Sequence, residues 1–62
     1  MLKIGNGYYN PMTIRRLGLS NRNNLIITFT NGEIDHTDQY YSEYSFEELV
    51  ESWEKQLRKI GE

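Results

Sequence analysis

Residues 25–37, LIITFTNGEIDHT, carry the clearest structural signal in the sequence, because two strand-forming runs flank an Asn-Gly dipeptide. Both central positions of a two-residue hairpin turn need a positive φ, which Asn31 and Gly32 adopt readily. Such a turn places three cross-strand pairs on one face: Phe29 with Ile34, Ile27 with His36, and Leu25 with Asp38. This face is the more apolar one, so the sequence predicts a half-buried antiparallel hairpin that receives another element. His36 then lies beside Ile27 at the edge of the core and needs a hydrogen-bond partner.

A C-terminal helix is predicted over residues 46–60. Ser45 and Glu48 have the spacing of a capping box, in which each side chain accepts from the other residue's free amide. Tyr44 and Leu49 are spaced for a hydrophobic staple, and Gly61 is placed to cap the end. Apolar residues at helical spacing predict a stripe that faces the core: Phe46, Leu49, Val50, Trp53, Leu57 and Ile60.

The first 24 residues allow two interpretations. Asn10 can cap a short helix that begins at Pro11 and ends at Gly18. Alternatively, Thr13–Leu19 is a strand that forms a long hairpin with Leu25–Thr30. We favour the strand, because a two-stranded hairpin alone is only marginally stable in water.

Together these elements predict an α+β fold in one small domain covering residues 1–62: an antiparallel meander of three to five strands packed by one C-terminal α-helix. A chain of 62 residues buries only about 60% of the surface that its unfolded form exposes, so we expect self-association into a homo-oligomer. The sequence has no Cys, which fits a reducing compartment. No apolar run approaches the roughly 20 residues that cross a bilayer. We therefore expect a cytoplasmic protein with no membrane partner.

Charge is strongly segregated along the chain. Residues 1–32 contain four bases and no acid, whereas residues 33–54 contain eight acids and no Lys or Arg. Within the second segment, residues 33–48 (EIDHTDQYYSEYSFEE) also carry four aromatic side chains. Tyrosine is favoured on surfaces that a partner covers, because it buries a large area at low entropic cost.

This segment predicts a surface that docks a basic protein partner. The candidate residues are Asp35, Asp38, Tyr40, Tyr41, Glu43 and Glu47. Either Tyr40 or Tyr41 is expected to cover the edge of the core, and Tyr44 is assigned to the staple. The other interpretation is that the acids only form a solvated face that keeps a small protein soluble.

No catalytic, cofactor or metal site is predicted. The sequence contains no Cys, a single His and no Gly-rich phosphate loop. Asp35 points away from His36 and Asp38 in a strand, so the three cannot converge on one ion. His36 is therefore interpreted as a structural or surface residue, and the chain as a non-enzyme.

A nucleic-acid-binding regulator is the alternative function. Its basic face comprises Arg15, Arg16 and Arg22, with Lys3, Tyr8 and Tyr9 beside them. The sequence pI of about 5.3 and the nearby carboxylates argue against nucleic acid as a partner, because carboxylates repel phosphates.

Three stretches resemble the small flagellar FlbD family: NGYYNPMTI at residues 6–14, NLIITFTNG at residues 24–32 and SFEELVESWEKQLRKI at residues 45–60. They cover an early Asn-Gly turn, a strand that ends in a Gly turn, and a closing Glu-rich helix. The last strand is acidic and Tyr-rich where the family tends to be basic and Val-rich. The resemblance implies the fold and a non-enzymatic character, and it transfers no site residues.

We therefore expect a small protein-interaction or regulatory module that acts through self-association, through the acidic Tyr-rich surface, or through both. Besides the nucleic-acid-binding regulator, one further alternative is an acidic inhibitor encoded by a mobile element such as a phage. Its carboxylates would imitate a nucleic-acid backbone in the groove of a host protein.

Overall fold

The computed structural model describes residues 1–61. It contains five strands and two helical elements: β1 (Leu2–Ile4), β2 (Gly7–Tyr9), a 3-10 helix (Pro11–Thr13), β3 (Ile14–Leu19), β4 (Asn24–Phe29), β5 (Ile34–Tyr40) and α1 (Glu43–Gly61). β1 and β2 form an antiparallel hairpin, and β3, β4 and β5 form an antiparallel meander in that order. The predicted α+β fold, with a small antiparallel sheet and one C-terminal helix, is confirmed.

The favoured strand interpretation of the segment after Asn10 is correct from Ile14 onward, and only the start of the helical interpretation is seen. The Asn10 side chain accepts a hydrogen bond from the Met12 amide at 3.0 Å, and Pro11 occupies the first turn of the 3-10 helix. The fixed φ of proline suits a helix start. The chain then becomes strand β3, which pairs with β4. Gly18 lies inside that strand and does not end a helix.

The β4–β5 hairpin turns at Asn31-Gly32, but its loop has three residues rather than the two predicted. The Phe29 carbonyl accepts from the Gly32 amide at 3.0 Å, and the Phe29 amide donates to the Glu33 carbonyl at 2.8 Å. Gly32 has a φ of +93°, as in a type I turn that is followed by a bulge. Thr30 belongs to the loop because its amide donates to the Thr13 carbonyl at 2.9 Å, beside β3.

The longer loop shifts the predicted register by one residue. The observed pairs are Ile26 with His36, Ile27 with Asp35, and Thr28 with Ile34. A slip of one residue exchanges the two faces of a strand. Ile34 and His36 were predicted on the core face and instead lie on the outer face, where Ile34 is 57% exposed.

The predicted pairing of Leu25 with Asp38 is also wrong. The register shifts again between Asn24, which lies opposite Tyr40, and Ile26. At this irregularity the Thr37 hydroxyl donates to the Leu25 carbonyl at 2.7 Å, so a side chain supplies a bond that a regular ladder takes from the backbone.

The core lies between the inner face of the meander, the β1–β2 hairpin and one face of α1. Its buried side chains are Leu2, Ile4, Ile14, Leu25, Ile27 and Leu49. Half-buried side chains surround them: Tyr9, Leu17, Leu19, Phe29, Tyr41, Phe46 and Trp53. Leu49 joins Leu25 and Ile27 in one cluster, so the helix does cover the apolar face of the hairpin. Ile60 was predicted to belong to the apolar stripe that faces the core. It is 48% exposed, so the prediction is wrong for this residue.

Helix α1 begins at Glu43, earlier than predicted, because Ser42 rather than Ser45 caps it. The Ser42 hydroxyl accepts from the Ser45 amide at 3.1 Å, and the Phe46 amide donates to the Ser42 carbonyl at 2.8 Å. These are the bonds of an N-cap residue. The predicted capping box at Ser45 is therefore wrong. Tyr44 lies in the first turn, is 71% exposed and is not a staple.

The middle of α1 is joined to the 3-10 helix by Trp53. Its indole Nε1 donates to the Pro11 carbonyl at 3.0 Å. The bond connects residues 42 positions apart and satisfies a carbonyl of the buried Pro11. The helix continues through Gly61, so Gly61 does not cap an earlier end. Within residues 1–61, no helix combines the length and the apolar character needed to cross a membrane.

Candidate protein-docking site

The predicted docking segment lies where β5 passes into α1. β5 ends at Tyr40 and α1 begins at Glu43, so Tyr41 and Ser42 form the whole connector. The Tyr41 amide donates to the Asn23 carbonyl at 2.8 Å, and the Tyr41 ring packs against the core. Tyr41 is therefore the tyrosine that covers the core edge. Tyr41 fixes the junction between β5 and α1 on the side of the core, and Ser42 caps the helix.

Two tyrosines flank this anchored connector and face solvent. Tyr40 is 69% exposed and Tyr44 is 71% exposed. They are four positions apart in the chain, so their Cα atoms are at most about 14 Å apart. Sequence reasoning missed Tyr44 because it placed the cap at Ser45. A cap at Ser42, equally visible as a serine before a Glu-rich run, would have placed Tyr44 in the first helical turn.

Exposed carboxylates surround the two tyrosines. Glu43 and Glu47 are one helical turn apart and both are exposed, so they lie on the same side of α1. The pKa of Tyr44 is raised above 10.0, chiefly by a hydrogen bond to the Glu48 carboxylate and then by the negative charge of Glu48, with a smaller contribution from Glu51. The tyrosine hydroxyl therefore experiences the negative potential of the helix surface directly.

The structure separates the predicted residues into two groups. Asp38 lies two residues before Tyr40 and adjoins the junction, whereas Asp35 lies five residues away along β5. At the rise of an extended strand, that distance is about 16 Å. We use the name acidic tyrosine surface for the exposed residues at the junction: Asp38, Tyr40, Glu43, Tyr44, Glu47 and Glu48.

The predicted basic face is dispersed. Arg15 and Arg16 are exposed and line a shallow concavity of about 410 Å³ with Thr28 and Ile34. Arg22 lies in the turn between β3 and β4, at the other end of the meander. Along the three strand positions after Arg16 the chain already advances about 10 Å before it enters the turn, so the three arginines do not share one surface.

The other residues assigned to the basic face also separate. Lys3 pairs across the β1–β2 hairpin with Tyr8, which is 66% exposed. Tyr9 turns inward and packs on Phe29, with the ring centroids 6.2 Å apart. Only one of the two tyrosines therefore remains beside a base at the surface.

His36 lies opposite Ile26 on the outer face and is exposed. It does not lie beside Ile27, and the predicted need for a buried hydrogen-bond partner does not arise. Within residues 1–61, no three His, Cys, Asp or Glu side chains are grouped so that they could hold a metal ion.

Another concavity, of about 540 Å³, lies between the 3-10 helix and the end of α1. It is lined by Met1, Asn10, Pro11, Gln56, Lys59 and Ile60. Lys59 is the one ionisable side chain in this lining, so the concavity carries no acid–base pair of side chains for proton transfer.

Comparison of the chain with protein families, with curated proteins and with solved structures finds no match. The FlbD-like resemblance therefore stays a prediction.

Proposed function

We propose that this chain is a non-enzymatic interaction or regulatory module that docks a basic segment of a partner protein on the acidic tyrosine surface. The observation that carries the proposal is the exposure of Tyr40 and Tyr44, at 69% and 71%, within a stretch that has no Lys or Arg. The two tyrosine rings are exposed to solvent at an anchored junction, and carboxylates lie beside them. Such a surface is suited to an Arg- or Lys-rich partner.

Three physical effects favour such a partner. Carboxylates attract the basic segment and accelerate encounter. An arginine guanidinium can stack on an exposed tyrosine ring while it pairs with a neighbouring carboxylate. The junction is also held in advance by the Tyr41 amide, the Tyr41 ring and the Ser42 cap. Binding therefore costs less ordering entropy than it would on a mobile loop.

The test compares three tyrosine variants of nearly equal exposure. Fluorescence anisotropy of a labelled Arg- and Lys-rich peptide measures the Kd of the wild-type chain and of Tyr40→Ser, Tyr44→Ser and Tyr8→Ser. We expect each junction variant to weaken binding about tenfold, as for a moderate hot spot. The matched control Tyr8→Ser, which alters a tyrosine that is 66% exposed beside Lys3, should leave the Kd unchanged. Equal effects of all three variants, or no binding, would refute the proposal.

The alternative function, nucleic-acid binding, now rests on Arg15 and Arg16, because both line the concavity beside Thr28 and Ile34. Mobility-shift assays at low and moderate salt separate the two functions. Salt-sensitive binding that is lost in Arg15→Ala and Arg16→Ala would favour the alternative. Competition between this chain and nucleic acid for one host protein would favour a mobile-element inhibitor that uses the same acidic tyrosine surface.

The biological process follows from the partner. Genes for flagellar assembly beside this one would place the module in that process, whereas phage genes would favour the inhibitor. Under either outcome we propose a cytoplasmic site of action, which fractionation of cells that express a tagged chain would test.

A further inference from the structure

The outer face of the meander carries a second surface, which borders the acidic tyrosine surface along β5. We use the name open sheet face for six residues on that side: Arg16, Gly18, Ile26, Thr28, Ile34 and His36. Arg16 and His36 are exposed, Ile34 is 57% exposed and Ile26 is half-buried. Apart from Gly18 and its two chain neighbours, no residue has a heavy atom within 4 Å of the position that a Cβ on Gly18 would occupy. The centre of this face is apolar, and its side chains do not belong to the core cluster.

The molecule exposes more surface than its mass requires. Its accessible area is 4728 Å², whereas a compact monomer of this mass exposes about 4,200 Å². The surplus of about 500 Å² is what one subunit buries in the smallest specific interfaces, which total about 1,000 Å². The open sheet face, about 20 Å long and about 14 Å wide by strand geometry, has a projected area of about 280 Å², slightly more than half of that surplus.

Charge varies across the meander from one edge to the other. Edge strand β3 carries Arg15 and Arg16 and no acid. The opposite edge strand, β5, carries Asp38 and no Lys or Arg. Its other acid, Asp35, pairs with Ile27 and so lies on the core side of the sheet. A second copy packed face to face about a two-fold axis parallel to the strands places the basic strand of each copy over the acidic strand of the other. An axis across the strands would instead place arginine strand on arginine strand, which is repulsive.

We propose that a second copy of this chain covers the open sheet face, related by a two-fold axis that is parallel to the strands and passes close to Ile26. A row here means the residues that lie side by side on the three strands. Because rotation about this axis does not change position along the strands, each row of one copy lies over the same row of the other. Ile26 meets the partner's Ile26 at the centre of the interface. Gly18, Ile26 and His36 form one such row. The partner's His36 therefore occupies the open space over Gly18. Two sheets packed in this way form an aligned sandwich.

Gly18 supplies the sharpest test, because a side chain at this position fits the monomer and obstructs the dimer. The glycine does not have a positive φ, its Cβ position is open, and threonine favours strands more than glycine does. Sedimentation velocity from about 10 µM to about 1 mM, a range that detects an interface at the small end, should show concentration-dependent dimers for the wild type. Gly18→Thr should stay monomeric throughout and keep its far-UV circular dichroism spectrum.

A second pair of variants checks the apolar contact. Ile34→Thr alters a side chain that is 57% exposed on the open sheet face, and Ile60→Thr alters one that is 48% exposed near the end of α1. We expect Ile34→Thr to weaken dimerisation at least fivefold and Ile60→Thr to leave it unchanged. A wild-type chain that is monomeric over the whole range, or dimers that persist in Gly18→Thr, would overturn the proposal.

The direction of the axis is tested separately. The chain has no Cys, so a spin label on Thr30→Cys, at the hairpin tip, reports one distance. An axis parallel to the strands keeps the two tips at the same end and the two labels close. An axis across the strands separates them by the length of the meander, about 20 Å or more, and that distance would overturn the proposed orientation.

This inference goes beyond the proposed function, because it concerns another surface and another partner. Gly18→Thr should bind the basic peptide as the wild type does, and Tyr44→Ser should dimerise as the wild type does. If one proposal fails, the other can therefore still be tested.

Discussion

Replacement of Trp53 tests how α1 is attached to the rest of the fold. The indole donates to the carbonyl of the buried Pro11 at 3.0 Å, and its ring packs half-buried against the core. Trp53→Phe keeps an aromatic ring but leaves that carbonyl without its donor, which costs about 1–3 kcal/mol when water cannot replace it. We expect a loss of about 2 kcal/mol in the free energy of unfolding. Trp53→Ala also removes the ring and should cost about 3 kcal/mol, the low end of the range for aromatic truncation, because the side chain is half-buried.

The loss is large relative to the stability of so small a domain, which is on the order of 3–9 kcal/mol. A loss of about 2 kcal/mol should lower the Tm by roughly 8–16 °C. Thermal and urea unfolding followed by far-UV circular dichroism measure it, because Trp53 is the only tryptophan and its fluorescence is lost in both variants. Tyr44→Phe, at an exposed aromatic in the same helix, serves as the control and should stay within about 0.5 kcal/mol of the wild type.

Benzothienylalanine at position 53, introduced by chemical synthesis, removes the N–H donor at almost constant shape and so isolates the hydrogen bond. Wild-type stability in both this analogue and Trp53→Phe would refute the role assigned to the Trp53–Pro11 contact.

Three further changes test the helix start, the hairpin turn and the acidic environment. Ser42→Ala should cost about 1 kcal/mol through loss of the N-cap, and Ser45→Ala a few tenths; equal effects in thermal melts would contradict the observed helix start. Gly32→Ala should destabilise by about 1 kcal/mol, because alanine disfavours a φ of +93°; urea unfolding measures this, and an unchanged midpoint would reject the three-residue loop. The pKa of Tyr44 is raised in the folded state, so its contribution to stability is present below pH 10 and is lost as the pH rises through the folded pKa. Glu48→Gln should lower that pKa in a tyrosinate absorbance titration with Tyr44→Phe as the reference, and no change would remove Glu48 as the cause.

The hairpin could be predicted from the sequence, but its register could not. The strand-forming run before Asn-Gly identified β4, and Leu25 and Ile27 are indeed inaccessible to solvent. The Asn-Gly dipeptide fits both a two-residue and a three-residue loop. The choice depends on the Thr30 amide, which donates to the Thr13 carbonyl. That contact involves a residue outside the hairpin, and no local pattern shows it.

The start of α1 and the residues of the candidate site both depend on which of two serines caps the helix. Ser42 and Ser45 are both good N-caps by residue type. The structure selects Ser42, whose hydroxyl accepts from the Ser45 amide. The preceding residue, Tyr41, is fixed by the bond from its amide to the Asn23 carbonyl, so Ser42 follows directly on the last residue bonded to the sheet. The acidic segment was predicted from composition, whereas the exposure of Tyr44 and the distance of Asp35 from the junction follow from this long-range contact and from the strand geometry.

The most direct test of the proposed docking surface is a backbone amide NMR titration of the wild-type chain with the Arg- and Lys-rich peptide. We predict saturable shift changes centred on residues 38–48, with little change at Lys3 and Tyr8. Changes centred on the arginines of β3, or spread evenly over all exposed amides, would contradict it.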